Sequence, residues 1–221
     1  MKLIVQKYGG TSVANADAIK KAASKIIKTK EEGNQVVVVV SAMGSRTDEL
    51  INLAVELTDS PEPREMDMLL STGERETMSL MAMYLKNQGY DAISLTGSQA
   101  GIITTSKHGQ AEIEEITGDR VREGLDKGQV VIVAGFQGIT EEMDVTTLGR
   151  GGSDTTAVAL AAALNADRCE VYTDVDGIFT ADPRVVSQAR QLSELNYEEM
   201  LELASYGAKM HPRSIELGAL Y

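Results

Sequence analysis

A glycine-rich segment at residues 147–156 carries the strongest chemical signal in the sequence. It reads, in order, Thr147, Leu148, Gly149, Arg150, Gly151, Gly152, Ser153, Asp154, Thr155 and Thr156. Glycines expose backbone N–H groups to a ligand, and arginine binds a carboxylate or a phosphate through two parallel hydrogen bonds. A turn that served only the fold would not need so many flexible residues, because each one costs conformational entropy. We therefore predict an anion-binding turn, although its spacing fits neither the Walker nor the Rossmann pattern.

Two further turns carry a related signal. Lys7 ends a short apolar run and precedes Gly9 and Gly10, so a mobile positive charge lies beside two flexible amides. Small and hydroxyl-bearing residues within 41–48 lead from a run of five valines into a predicted helix start, where free amides favour an anion. Phosphate binding is one interpretation of both segments. The alternatives are a plain strand-to-helix turn and an ordinary helix N-cap.

Carboxylates follow a later predicted strand. Asp174 comes directly after Thr173, Asp176 lies two residues further, and Asp182 and Arg184 follow a few residues on. The acids would suit ribose hydroxyls or a metal ion, and the arginine would suit a phosphate. A tight acidic turn is the alternative, and the spacing does not match the twelve-position calcium loop.

Four other reactive residues stand alone. Glu74 follows a glycine at a helical position and by itself would be a solvated surface charge. His108 and His211 show no metal-ligand spacing, so we assign no metal ligand. Cys169 is the single cysteine; it excludes an internal disulfide, is expected to be buried and favours a reducing compartment.

Short apolar runs alternate with helical periodicity along the chain. Strands are predicted to begin at residue 3 and to cover 36–40, 92–95, 130–134 and 170–173, and helices to cover 16–30, 48–57, 66–86, 156–164 and 196–204. The valine run suits a strand buried on both faces. Asn196 and Glu199 predict a capping box at the start of a helix. The alternation predicts one α/β domain with a mostly parallel sheet, whose ligands bind beyond the C-terminal ends of the strands.

The charge balance narrows the possible partners. The 221 residues include 33 acidic and 21 basic side chains, giving a formal charge of −12. Nucleic acids and anionic membranes attract basic surfaces, so we expect neither as a partner. No apolar run reaches the ~20 residues of a membrane helix, and the first residues do not resemble a signal peptide. We expect a cytoplasmic protein.

Several of these motifs together resemble the aspartate kinases of the amino-acid kinase family. The shared motifs, in the order of that family, are KYGGTS at 7–12, SAMG at 41–44, STGE at 71–74, GRGGSDT at 149–155, TDVDG at 173–177 and ADPR at 181–184. The resemblance implies a three-layer αβα sandwich, similar to carbamate kinase, around a mainly parallel sheet of about eight strands. It also implies phosphoryl transfer from ATP, with Mg²⁺, to the side-chain carboxylate of L-aspartate. A homodimer and a place at the first step towards lysine, threonine and methionine would follow.

The resemblance also implies a role for particular residues. Lys7 would contact the transferring phosphoryl group, and Asp154 would orient Lys7. The residues implied in substrate binding are Thr47, Glu74, Arg150, Gly151, Gly152 and Ser153, with Glu74 facing the substrate ammonium. The residues implied in nucleotide binding are Lys7, Tyr8, Gly9, Gly10, Ser41, Thr173, Asp174, Asp182, Arg184 and Lys209.

Two features depart from that family's pattern. The family usually continues into further strands and two regulatory ACT domains, whereas residues 218–221 stop inside a predicted helix. We therefore expect residues 1–221 to be a catalytic domain truncated at its C-terminal end. The segment between Lys209 and the His-Pro pair at 211–212 is one residue shorter than usual, which rotates a helix by about 100°. A sister kinase for another small carboxylate and a binding module without turnover are the alternative functions.

Overall fold

The computed structural model describes residues 1–208 and 210–220. The strands are β1 (Leu3–Tyr8), β2 (Gln35–Val40), β3 (Ala92–Leu95), β4 (Ile102–Thr104), β5 (Ile113–Ile116), β6 (Val130–Ala134), β7 (Gln137–Ile139), β8 (Val145–Thr147) and β9 (Arg168–Tyr172). The helices are α1 (Ala16–Glu31), α2 (Arg46–Leu57), α3 (Pro63–Asn87), α4 (Asp119–Asp126), α5 (Gly152–Ala163), α6 (Tyr197–Ser205) and α7 (Pro212–Leu220). A 3-10 turn at Gly10–Val13 follows β1.

The central sheet has five strands in the order β3-β6-β2-β1-β9, and every neighbouring pair is parallel. The valine run forms β2 at its centre. Val36, Val38 and Val40 pack with α1 and α3, whereas Val37 and Val39 pack with α4 and α5. A strand's side chains alternate between faces, so each valine enters one of two cores. The prediction of a three-layer αβα sandwich with a mainly parallel sheet is confirmed.

A second, smaller sheet has the order β5-β4-β7-β8. It is mixed, since β4 pairs parallel with β7, whereas β4–β5 and β7–β8 are antiparallel. The expectation of about eight strands in the central sheet was wrong, because the described residues place five there and four in this second sheet. Each strand of the second sheet has only three or four residues, too few for a clear periodic signal.

Most of the predicted strands and helices are present, but some helices begin earlier than predicted. Helix α3 begins at Pro63, three residues before the predicted start, because proline is well suited to the first helical turn. Helix α5 begins at Gly152 and not at residue 156, so Ser153 and Asp154 lie in its first turn. The capping box is confirmed, since the Asn196 side chain accepts from the Glu199 N–H at 2.8 Å and the return bond is 2.9 Å.

The sheet topology brings the predicted turns to one edge. The segments after β1, β2, β6 and β9 all leave the C-terminal edge of the central sheet, beside the N-terminus of α5. This edge is where parallel sheets bind ligands. Within residues 1–208 and 210–220, none of the helices has the length and apolar character needed to cross a bilayer.

Candidate active site

A cavity of about 750 Å³ lies at the C-terminal edge of the central sheet. It is lined by thirteen of the residues that the sequence selected: Lys7, Gly9, Gly10, Ser41, Thr47, Glu74, Arg150, Gly151, Gly152, Ser153, Asp154, Thr173 and Asp174. These residues come from five separate stretches of the chain. The fold therefore gathers the anion-binding turns and the isolated Glu74 around one hollow.

Lys7 and Asp154 form a buried ion pair in this cavity. The Lys7 Nζ atom lies 2.7 Å from the Asp154 Oδ1 atom, and the two side chains are 10% and 12% exposed. The contact is an ion pair, and Asp154 Oδ1 has no hydrogen-bond partner among the described residues. Strand β1 supplies the lysine, and the first turn of α5 supplies the aspartate, where the helix dipole favours a negative charge. Two rigid elements thus hold the amine at the cavity wall.

Glu74 places a second buried carboxylate in the cavity. Its side chain comes from α3 and is only 3% exposed. Its Oε1 atom accepts a 3.0 Å hydrogen bond from the Ala42 N–H, whereas Oε2 has no hydrogen-bond partner among the described residues. Burial raises the pKa of Glu74 to about 7, although the bond from Ala42 opposes that shift. A cation that reached Oε2 would stabilise the ionised form.

Two glycines allow the turns around the cavity to approach one another. A Cβ atom on Gly10 would lie 3.0 Å from the Ala42 carbonyl oxygen. Gly151 has a φ of 73°, and a Cβ atom there would lie 2.4 Å from the Cβ of His211. A side chain at either position would push its turn away from its neighbour. His211, which was isolated in the sequence, therefore packs on the arginine turn.

Two more of the predicted nucleotide residues line a second cavity of about 610 Å³. Asp182 and Arg184 are in its wall, and Asp174 borders both cavities. Arg184 Nη2 lies 2.8 Å from Asp182 Oδ2, and the arginine side chain is 88% exposed. This pairing raises the pKa of Arg184 and lowers the pKa of Asp182. The two residues bind each other and leave their outer surface to solvent.

Tyr8 is placed in the core and not in either of these cavities. It is 1% exposed, its ring stacks on Tyr172 with centroids 4.8 Å apart, and its hydroxyl donates to the Gln6 Oε1 atom at 3.2 Å. Its side chain therefore supports the end of β1 from within the fold. Lys209, the last of the predicted nucleotide residues, lies outside the described residues.

Sequence reasoning missed two residues beside the cavity. Asp67 in α3 is 1% exposed and accepts hydrogen bonds from His108 Nδ1 at 2.7 Å and from the Thr147 hydroxyl. Phe136, after β6, lines the cavity with a φ of 70°, a strained value for a bulky residue. The spacing of Asp67 and Glu74, two helical turns apart, is a signal that could have identified Asp67. Nothing in the sequence marks Phe136.

A family model described as the amino acid kinase family matches residues 2–218. The chain therefore belongs to the amino acid kinase family. Within it, the chain is 59% identical to aspartokinase 2 of Bacillus subtilis strain 168 over its whole length, and 61% identical to an aspartokinase of Mycolicibacterium smegmatis over 95% of its length. It covers 54% and 50% of those proteins, and so spans about half the length of the curated relatives it matches.

Solved structures show the same similarity. The fold matches a crystal structure of aspartate kinase from Synechocystis with a TM-score of 0.87 and 51% identity, covering 99% of this chain and 36% of that one. It also matches E. coli aspartokinase III in complex with aspartate and ADP, with a TM-score of 0.88 and 29% identity, covering 99% of this chain and 60% of that one.

Proposed function

We propose that this chain is the catalytic domain of an ATP-dependent aspartate kinase. It transfers the γ-phosphoryl group of ATP to the side-chain carboxylate of L-aspartate, giving 4-phospho-L-aspartate and ADP. The observation that carries this proposal is the single cavity that joins the Lys7–Asp154 pair, the buried Glu74 carboxylate and the Arg150 turn. The similarity to named aspartokinases supports the choice of substrate.

The chemistry requires positioning and charge neutralisation. The accepting carboxylate is already a nucleophile, so the step needs no general base. The carboxylate and the triphosphate are both anions, and they must approach to ~3 Å for the oxygen–phosphorus bond to form. Lys7 places a positive charge at the cavity wall, and the N-terminus of α5 directs backbone amides to the same side. Asp154 is the positioning residue that holds the amine in place.

The other end of the amino acid is held by opposite charges. Glu74 Oε2 binds the substrate ammonium, and Arg150 binds the carboxylate that does not react. Thr47 and Ser153 line the same cavity and offer hydroxyl groups. The E. coli enzyme that the fold matches holds aspartate and ADP, which supports a site for both ligands.

The nucleotide occupies the side of the cavity that continues towards Asp182 and Arg184. Gly9, Gly10 and Ser41 face the phosphates, Thr173 lines the same cavity, and Asp174 borders both cavities. Mg²⁺ usually keeps several waters and is held by substrate phosphates with one or two carboxylates. The carboxylate of Asp174 suits that donor set. The bound ion would offset the charge of the phosphates.

Three further statements are part of the proposal. The resemblance to aspartate kinases supports a homodimer and a role at the first step towards lysine, threonine and methionine. A cytoplasmic location is supported by Cys169, because a single cysteine cannot form an internal disulfide and fits a reducing compartment.

An aspartyl-hydroxamate assay tests the proposed activity. Purified protein is incubated with ATP and L-aspartate, with and without Mg²⁺, and with L-glutamate as the control substrate. We expect Mg²⁺-dependent hydroxamate from aspartate and little from glutamate. Calorimetric binding of ATP without any product would contradict turnover and favour a binding module, and product from glutamate at an equal rate would favour a sister kinase.

A further inference from the structure

Asp67 joins three parts of the chain through one buried carboxylate. It belongs to α3, and its oxygens accept hydrogen bonds from His108 Nδ1 at 2.7 Å, from the Gly109 N–H at 3.1 Å and from the Thr147 hydroxyl. The side chain is 1% exposed, and a charge buried to this extent is stable only with such partners. The Lys7–Asp154 chemistry makes no use of this carboxylate.

The partners of Asp67 lead directly into the arginine turn. Thr147 ends β8, and Arg150 follows three residues later. Gly109 lines the cavity, and its carbonyl oxygen lies 3.0 Å from the place where a Cβ on Gly149 would be. The Ala111 N–H also donates to the Thr147 carbonyl at 2.9 Å. Asp67 therefore fastens the base of the arginine turn to α3.

The same helix carries the other group that holds the amino acid. Asp67, Ser71 and Glu74 are all buried, and their spacing places them on one face of α3. Between the two carboxylates, the Ser71 carbonyl accepts a 2.9 Å hydrogen bond from Gln137 Nε2. One rigid helix thus fixes Glu74 at one point and the arginine turn at another.

We propose that Asp67 is a positioning residue that sets the separation of Glu74 and Arg150 and thereby favours a four-carbon over a five-carbon amino dicarboxylate. The inference rests on the proposed function, in which Glu74 binds the ammonium and Arg150 the unreactive carboxylate. Both of those groups are attached to the same carbon of the substrate. Fixing them fixes how far the reactive carboxylate reaches, and a misplacement of about 1 Å can cost ~10² in rate.

Paired substitutions at Thr147 test the inference without removing a buried charge. Thr147→Val loses the hydroxyl that binds Asp67, and Thr147→Ser keeps it. We expect Thr147→Val to raise the KM for aspartate about tenfold, as for a lost hydrogen bond to a charged group, with an unchanged KM for ATP. The kcat/KM ratio of aspartate to glutamate should fall as well. Thr147→Ser should restore both values to within about twofold.

Two further variants complete the experiment. Asp67→Asn keeps the shape but removes the charge, and should change the two kinetic values in the same direction as Thr147→Val. Thr104→Val is the matched control, because Thr104 is a buried threonine of the same small sheet whose hydroxyl bonds Thr146 and not Asp67. It should leave both values unchanged. If Asp67→Asn does not fold, the Thr147 pair and this control still decide the question.

Hydrogen exchange separates this inference from the proposed function, because it needs no substrate. Backbone amides of residues 147–152 should exchange about tenfold faster in Thr147→Val than in the wild type or in Thr147→Ser. Equal exchange in all three proteins would overturn the positioning role, as would an unchanged KM for aspartate or an equal rise in both KM values. A wild type that neither binds nor phosphorylates aspartate would overturn the proposed function, and with it the assignment of chain-length preference, whatever the exchange rates.

Discussion

Two ion pairs of the proposed active site lie in opposite surroundings. Lys7 and Asp154 are almost enclosed and come from a central strand and a helix that are far apart in sequence. Asp182 and Arg184 are two residues apart in an irregular, exposed segment. The first pair is fixed by the fold, whereas the second is fixed only by its own contact.

The two pairs differ in how firmly their side chains are held. An exposed pair is screened by water and contributes little to stability or geometry, whereas a buried pair is expensive to break. The part of the cavity around Lys7 and Asp154 is therefore organised before any ligand binds. At the nucleotide end, Arg184 is free to exchange its carboxylate partner for a phosphate. Substitutions at the two ends should differ in the kind of effect as well as in its size.

Lys7→Ala should have the largest effect. We expect kcat to fall by 10²–10⁴, as for the loss of another group that stabilises developing charge. Unpaired Asp154 should also cost about 1–3 kcal/mol of unfolding free energy. A coupled ADP assay measures the first effect, and urea unfolding measures the second. Retention of the kcat at a protein concentration corrected for folded fraction would exclude Lys7 from the reaction.

Glu74→Gln should have the next largest effect, on substrate binding. Glutamine keeps the size but removes the charge that would meet the substrate ammonium, so the KM for aspartate should rise about 10–100-fold. The KM for ATP should remain constant. Calorimetric titration with aspartate gives the same quantity without turnover. Equal aspartate affinity in the wild type and in Glu74→Gln would show that the substrate ammonium does not bind at Glu74.

The raised pKa of Glu74 predicts a pH dependence for binding. Since the ammonium requires the ionised carboxylate, aspartate affinity should rise as the pH increases through about 7, and below that value it should fall by up to about tenfold per pH unit. The wild type should show this slope between pH 5.5 and 8, and Glu74→Gln should not. Identical pH profiles would contradict the assignment.

The same group predicts a pH dependence of stability with the opposite sign. Between the ordinary value of 4.5 and about 7, folded Glu74 retains a proton that the unfolded chain releases. The free energy of unfolding should therefore decrease across this range, by about 3 kcal/mol in total from this residue. Urea unfolding of the wild type and of Glu74→Gln at pH 5 and pH 8 measures the difference. A larger loss in the variant than in the wild type would contradict it.

Arg184→Ala should have the smallest effect. Its only described ion pair is with a neighbour in the exposed loop, so stability should not change measurably. The KM for ATP should rise by less than about tenfold, and the KM for aspartate should stay the same. Steady-state kinetics with each substrate varied in turn separates the two values. A rise in the KM for aspartate would show that the two ends of the site are not independent.

The sequence predicted most of the central sheet because β2 and β6 are continuous apolar runs and β1 begins with one. The valines of β2 could be assigned to both faces from composition alone, and the anion-binding turns then followed from their places after the strands. The second sheet could not be predicted, since its short strands have mixed polarity and are stabilised by pairing with each other. The burial of Glu74 and Asp67 could not be predicted either, because in the sequence both residues resemble surface acids.

A double-mutant cycle on Lys7 and Asp154 tests the central claim most directly. If the enclosed pair acts as a unit, Lys7→Ala and Asp154→Asn should each reduce kcat strongly, and the double variant should be no slower than the slower single variant. If the two losses multiply instead, the amine and the carboxylate act separately, and the enclosed pair is not what neutralises the reacting anions.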